Sequence, residues 1–133
     1  MTSPSVIHLD TGFLIRALVP GSPEAADLRT WLLEGRALRM SCVAWAEFLC
    51  GPGAGDAVPQ DLVAGVVRRR MPLTETVAAA AARLFNAGGR RRGTLPDAMI
   101  AATALEDQAA LATTDRSDFT RWADEGLEVV GGG

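Results

Sequence analysis

Short apolar runs that alternate with helical segments are the feature that most constrains this fold. Val6–Leu9 is rich in β-branched residues and ends at Asp10, after which residues 11–19 continue with helical spacing. The other predicted strands cover residues 38–40, 71–73, 111–114 and 127–130. Short buried strands separated by helices form βαβ units, whose parallel sheet is covered by helices on both faces. The pattern therefore predicts an α/β domain.

Start and stop signals define the helices between these strands. Ser22 followed by Pro23 and Glu24 predicts a cap and a first helical turn, and Ser41 and Thr74 predict two further caps. Glycine-rich residues 51–55 predict a loop. The predicted helices after the first cover residues 23–35, 42–49, 62–67, 74–85, 98–106 and 118–122.

The length of 133 residues predicts one domain over residues 1–130, followed by a disordered glycine tail at residues 131–133. No apolar stretch approaches the ~20 residues of a membrane span. The N-terminal residues lack the basic and apolar regions of a signal peptide. We therefore expect a cytoplasmic protein without membrane contact.

The histidine and cysteine content excludes several kinds of site. His8 is the only histidine, which argues against a zinc site with several His or Cys ligands, a Ser-His-Asp triad and a Cys-His dyad. Cys42 and Cys50 lie about two helical turns apart, ~12 Å, which is too far for a disulfide. Both thiols are expected to be buried as small apolar side chains.

Four acidic residues stand inside or beside apolar stretches, where an unpaired carboxylate is costly. Asp10 and Asp115 follow predicted strands, Asp97 opens a helix, and Glu47 is the only charged residue in the apolar segment 42–50. Because that helix is apolar nearly all round, we expect Glu47 to be buried. Strand carboxyl ends of such sheets form ligand clefts, and oxygen ligands suit Mg²⁺ or Mn²⁺. The acids therefore predict a divalent-cation site.

Each acid also has a simpler interpretation. Asp10 and Asp97 are both placed to cap helices, Asp115 to make a turn, and Glu47 to face solvent. Asp118, three residues after Asp115, is an alternative to it in the site. Taken together, however, four close carboxylates would repel one another unless cations neutralised them. One or two Mg²⁺ ions about 4 Å apart would activate water for phosphodiester hydrolysis without a histidine base.

Arginine is unevenly distributed along the chain. All 13 basic residues are arginine, and six of them form the triplets at residues 68–70 and 90–92. The net charge of −3 argues against a protein that coats nucleic acid non-specifically. The triplets are either solvated helix ends or phosphate contacts, for which the guanidinium fork is well shaped.

Residues 9–15, 44–51, 93–104 and 112–119 resemble, in order and spacing, the motifs of PIN domains, and most of all those of VapC-type toxins of bacterial toxin–antitoxin pairs. The resemblance covers essentially the whole chain. It implies a three-layer α/β/α sandwich with a central parallel sheet of strand order 3-2-1-4-5. It also implies Mg²⁺- or Mn²⁺-dependent endoribonuclease activity on RNA, a VapB-type antitoxin as partner, and a homodimer.

The resemblance also implies roles for individual residues. Asp10, Asp97 and Asp115 would bind metal, and Glu47 would bind a metal or orient its water. The chain departs from the family at Gly12, where the family often carries a small polar residue. Thr113 and Asp118 are candidates for support of the metal site. The candidates for contact with RNA phosphates are Arg90, Arg91 and Arg92.

Two rival functions fit the same pattern of acids. A metal-dependent phosphomonoesterase would also place Asp10 after the first strand, but its common form has a second Asp where this chain has Gly12. A PIN-like binding module without catalysis is the other rival, in which the acids only maintain solubility.

Overall fold

Five strands form one parallel sheet in a computed structural model that describes residues 4–51 and 63–131. The strand order is β3-β2-β1-β4-β5, so the predicted fold class and strand order are confirmed. The strands are β1 (Val6–Leu9), β2 (Ala37–Ser41), β3 (Arg69–Met71), β4 (Ala110–Ala112) and β5 (Val129–Val130).

Helices flank this sheet and build the outer layers. Helix α1 packs against α2 and α3, whereas α4 and α5 form the most extensive contact between two elements. Residues 63–66 are also helical. The helices are α1 (Thr11–Ala17), α2 (Pro23–Leu33), α3 (Cys42–Cys50), α4 (Glu75–Ala87), α5 (Leu95–Glu106) and α6 (Arg116–Phe119), with a 3₁₀ helix at Thr120–Glu125.

Strand β1 has its predicted bounds, whereas the other four strands differ in extent from the prediction. Strand β2 is one residue longer at each end, and β5 begins two residues later. Strand β3 ends at Met71 instead of covering residues 71–73, because Pro72 has no N–H to continue the ladder. Strand β4 ends at Ala112, two residues before the predicted end. There the backbone N–H of Asp115 donates to Thr113 Oγ1 at 3.0 Å, which turns the chain away from the sheet. Of the loop predicted at residues 51–55, only Gly51 lies within the described residues.

The core lies between the sheet and its helices. Ile7 and Leu9 of β1 are buried together with aromatic residues such as Phe13 and Trp122. A fully buried side chain of this size contributes roughly 1.5–3 kcal/mol. Trp122 also satisfies its indole, whose Nε1 donates to the Leu84 carbonyl at 2.8 Å. This hydrogen bond joins the 3₁₀ helix, which carries Trp122, to α4.

Helix α3 is less buried than its sequence predicts. Only Ala44 and Phe48 are fully buried, and both Cys42 and Cys50 are exposed, so the expectation that these thiols are buried was wrong. The reason is that α3 packs on the rest of the domain through one stripe, which also includes the partly buried Val43 and Trp45, and its remaining positions face outward.

The C-terminal end of the described chain is held against α1. The carbonyl of Gly131, which falls in the predicted tail, accepts a hydrogen bond from Arg116 at 2.7 Å. A Cβ atom at this position would lie 2.9 Å from the rings of Phe13 and Trp31, so the packing requires glycine. The rest of the predicted tail, residues 132–133, lies outside the described residues. Within residues 4–51 and 63–131, no helix is long and apolar enough to cross a membrane.

Candidate functional site

Asp10 occupies the junction between β1 and α1, at the carboxyl end of the central strand. Its side chain is 6% exposed, and Oδ1 accepts the backbone N–H of Thr11 at 2.9 Å, so it caps α1. Its Oδ2 accepts the hydroxyl of Thr113 at 2.8 Å. Burial raises the pKa of Asp10, these two hydrogen bonds lower it, and the nearby carboxylates of Glu47 and Asp115 raise it again. Asp10 is thus a fixed carboxylate in a negatively charged environment.

Thr11 connects Asp10 to Glu47 through a contact that was not predicted from the sequence. Its hydroxyl lies 2.9 Å from the Ala44 carbonyl and 3.2 Å from Glu47 Oε1. Glu47 itself is exposed, which corrects the expectation of burial. The packing stripe of α3 leaves Glu47 on the side of that helix that faces α1 and solvent.

Asp97 lies in the first turn of α5 and is half-buried. No hydrogen bond to its carboxylate comes from the described residues, so the alternative role as a cap is not realised there. Its pKa is raised to about 6, first by burial and then by the carboxylates of Asp10, Asp118 and Glu47, against a smaller lowering by Arg121. The structure therefore brings Asp97 into the same electrostatic environment as Asp10.

Asp115 and Asp118 complete this group of acids. Asp115 is exposed and stands at the start of α6, where its side chain makes no capping hydrogen bond. A Cβ atom built on Gly12 would lie 3.8 Å from Asp115 Oδ2 and 3.0 Å from Thr114 Oγ1. The Thr114 hydroxyl thus occupies the space next to Gly12. Asp118 influences Asp97 directly and lies 3.9 Å from Arg121.

The donor atoms of this cluster fit a hard divalent cation, but the side chains are not arranged as they would be around a bound ion. Only oxygen donors are present, and their mutual repulsion is what a dication would relieve. Within the described ranges, however, no three Asp, Glu, His or Cys side chains are close enough to hold one ion. Asp10 is fixed, whereas Glu47 and Asp115 are exposed and can turn toward it by rotation of the side chain.

The arginine triplet Arg90–Arg92 lies in the loop before α5 and is exposed. The Arg91 carbonyl accepts the hydroxyl of Thr94 at 2.6 Å, and the carbonyl of Thr94 in turn accepts the N–H of Ala98. The triplet is thereby tied to the helical turn that carries Asp97.

A second polar group, absent from the sequence predictions, lies where α5 ends. His8 Nε2 is 2.7 Å from Asp107 Oδ2, and Arg39 Nη1 donates to both Asp107 oxygens at 2.8 Å. Burial lowers the pKa of His8, and Asp107, despite an opposing contribution from burial, has a pKa below its ordinary value because of His8 and Arg39. This group joins the C-terminal end of α5 to β1 and β2.

Comparison with known proteins agrees with this arrangement. A family model for the PIN domain matches residues 7–125. The chain belongs to the PIN domain family. The family predicted from the sequence motifs is therefore confirmed, and the acid cluster lies within the matched residues. The sequence matches no curated protein with significance.

Several solved structures are similar to this protein over nearly the whole chain. FitAcB from Neisseria gonorrhoeae is 25% identical with a TM-score of 0.72, covering 92% of this chain and 95% of that one. VapBC-1 from nontypeable Haemophilus influenzae is 26% identical with a TM-score of 0.70, covering 94% and 96%. VapBC2 from Rickettsia felis, solved with a DNA fragment from its promoter, is 16% identical with a TM-score of 0.75, covering 94% and 97%, and supports the fold alone.

Proposed function

We propose that this PIN domain is a divalent-metal-dependent endoribonuclease and the toxin of a VapBC-type pair. Mg²⁺ or Mn²⁺ would be held by Asp10, Glu47, Asp97 and Asp115. The observation that carries the proposal is the crowding of carboxylates around Asp10. Burial, followed by the charges of Asp10, Asp118 and Glu47, raises the pKa of Asp97 to about 6. A fold that concentrates negative charge in this way gains most when a cation neutralises it.

The residues of the cluster would divide the work. Asp10 is held by the Thr11 N–H and the Thr113 hydroxyl, so it offers a pre-oriented carboxylate. Thr11 holds Glu47 near the cluster, where its carboxylate can bind metal or orient a water molecule. Thr113 also fixes the backbone of Asp115. When bound, the divalent ion would lower the pKa of water and stabilise charge on the phosphoryl oxygens.

RNA as the substrate is supported by the charge beside the acids. Arg90, Arg91 and Arg92 are exposed in the loop that precedes the turn carrying Asp97. Guanidinium groups bind phosphate oxygens with two hydrogen bonds, so this loop can hold the RNA backbone next to the acids. We propose that the protein acts in the cytoplasm, where such substrates are synthesised in bacteria.

A protein antitoxin is supported by an apolar cleft on α1 and α2. The cleft has a volume of about 300 Å³ and is lined by residues such as Leu14, Leu28 and Val63. Leu18 and Val19 are exposed beside it. The similarity to VapBC-1 supports a VapB-type antitoxin as the partner, and we propose that it covers this apolar surface. A homodimer remains a prediction, which sedimentation equilibrium of the purified chain would test.

The proposed function is tested by incubating the purified protein with total RNA in Mg²⁺, in Mn²⁺ and in EDTA, and by sequencing the cut ends. We expect cleavage only with metal, and its loss in Asp10→Asn and Asp97→Asn. Asp124→Asn is the matched control, since Asp124 is exposed in the 3₁₀ helix and outside the cluster. Undiminished cleavage by either cluster variant would contradict the assignment. Faster hydrolysis of a phosphomonoester than of an RNA oligonucleotide would favour the phosphatase alternative.

A further inference from the structure

A second cavity lies at the edge of the sheet opposite the acids. It has a volume of about 460 Å³ and is lined by Arg36, Arg39, Arg68 and Arg69. It borders the first residues of β2 and β3, Ala37 and Arg69, whereas the acids follow the carboxyl ends of strands. Because all strands are parallel, the two sites lie at opposite edges of the sheet. The cavity is therefore separate from the candidate active site.

The charge of this cavity is only partly neutralised. Arg36 donates to Glu34 at 2.8 Å, and Arg39 is bound to Asp107. The side chains of Arg68 and Arg69 are exposed, and neither guanidinium group has a hydrogen-bond or ion-pair partner among the described residues. No acidic residue of the described chain lines the cavity. Two uncompensated guanidinium groups thus border a solvent-open cavity in a chain whose net charge is −3.

The rest of the lining is apolar. Leu38 is buried in the core, and Leu32 and Val66 border the cavity beside it, so its floor resembles that of a small-molecule site more than that of a solvated patch. The C-terminal residues of α2 border one side, and their carbonyls disfavour an anion there. An anionic group is therefore expected next to Arg68 and Arg69, with an apolar, flat group over Leu38.

We propose that this cavity binds a nucleotide, with its phosphate on Arg68 and Arg69 and its base against Leu32, Leu38 and Val66. The volume falls within the range of ligand pockets, about 300–1,000 Å³. Arginine binds phosphate through a planar pair of N–H donors, which explains why guanidinium groups line this space. The nucleotide can be a free mononucleotide or one unit of an RNA chain, since both present a phosphate and a base.

The test measures binding in EDTA, so that it does not depend on cleavage. Titration calorimetry of the full chain uses adenosine 5′-monophosphate and inorganic phosphate, and fluorescence anisotropy uses a labelled RNA 12-mer. We expect saturable binding of the mononucleotide, tighter than that of inorganic phosphate. The variant Arg68→Gln/Arg69→Gln should weaken mononucleotide binding at least tenfold. Arg29→Gln/Arg83→Gln removes the same charge from exposed positions outside the cavity and should change it less than twofold.

A second variant tests the cavity without changing its charge. Gly65 lines the cavity, and a Cβ atom there would meet nothing within 4 Å, so Gly65→Leu adds its side chain from an unobstructed Cβ position. We expect it to weaken mononucleotide binding while leaving the thermal midpoint at or above that of the wild type. Gly65→Leu with wild-type affinity would overturn the proposal.

The RNA arm identifies the source of the nucleotide. If Arg68→Gln/Arg69→Gln also weakens RNA binding more than the control does, the ligand is a unit of RNA, and the salt slope should fall by about 0.7 for each lost phosphate contact. If only mononucleotide binding falls, the ligand is a free nucleotide. Equal losses in the two double variants, or equal affinity for a polyglutamate peptide, would overturn the proposal. Absence of RNA cleavage would refute the proposed activity alone, because these measurements contain no metal.

Discussion

Asp97→Asn should stabilise the metal-free protein above neutral pH, although it removes a residue of the proposed active site. The folded chain raises the pKa of Asp97 from 3.8 to about 6, so ionising this carboxyl is harder in the folded state than in the unfolded one. The folded state binds more protons between these values, and its stability therefore falls as pH rises through them. Asn preserves the shape of the side chain without the charge.

The magnitude follows from the interval between the two pKa values. At 1.36 kcal/mol for each pH unit, this interval corresponds to a destabilisation of the folded state by about 3 kcal/mol above pH 6. Asp97 is only half-buried, and solvent screening reduces this to about 1–2 kcal/mol. For a domain of this size, we expect the thermal midpoint to rise by roughly 3–8 °C.

Urea unfolding in EDTA at pH 4 and at pH 8 measures the effect. Asp97→Asn should match the wild type at pH 4 and exceed it at pH 8, while Asp124→Asn should follow the wild type at both. A difference that does not grow with pH would refute the reasoning. Adding Mg²⁺ at 100 times its Kd should then stabilise the wild type by about 2.7 kcal/mol and the variant by less. A binding module without a metal site should show no such stabilisation in either protein.

Three further changes test the surrounding structure. Asp107→Ala should cost about 2–3 kcal/mol in urea unfolding, because it leaves the half-buried Arg39 without its carboxylate; a cost below about 0.5 kcal/mol would contradict this. Thr113→Val should reduce stability at pH 8 by about 1–2 kcal/mol and slow RNA cleavage, because the buried Asp10 loses a donor that lowers its pKa; Thr113→Ser should retain both properties. Ser22→Ala should cost about 1 kcal/mol by removing the cap of α2, as thermal unfolding would show.

The sequence was most informative where local chemistry decides the structure. Asp10 follows a β-branched strand and caps the next helix, and Ser22, Ser41 and Thr74 cap helices as predicted. These features depend on a few neighbouring residues, so the sequence contains most of the relevant information.

Features that depend on distant packing were harder to predict. Glu47 was expected to be buried because α3 is apolar nearly all round, but only Ala44 and Phe48 of α3 are buried. Asp107 contacts His8 and Arg39, which lie 99 and 68 positions before it in the sequence. These contacts depend on how α5 lies on the sheet. The position of the acids after strands predicted that they lie near Asp10. It did not predict the contact of the Thr11 hydroxyl with Glu47 or the position of the Thr114 hydroxyl next to Gly12.

The contacts of Asp107 give helix α5 a mechanical role. This helix begins at the acid cluster and ends at the opposite edge of the sheet, ~15 Å away along its axis. Because His8 and Arg39 bind Asp107 at the far end, they fix the position of α5 relative to β1 and β2, and with it the position of Asp97. His8 stands on β1 only two residues before Asp10. The contacts of Asp107 thus fix Asp10 and Asp97 relative to each other through β1 and α5, whereas Glu47 and Asp115 depend on other elements.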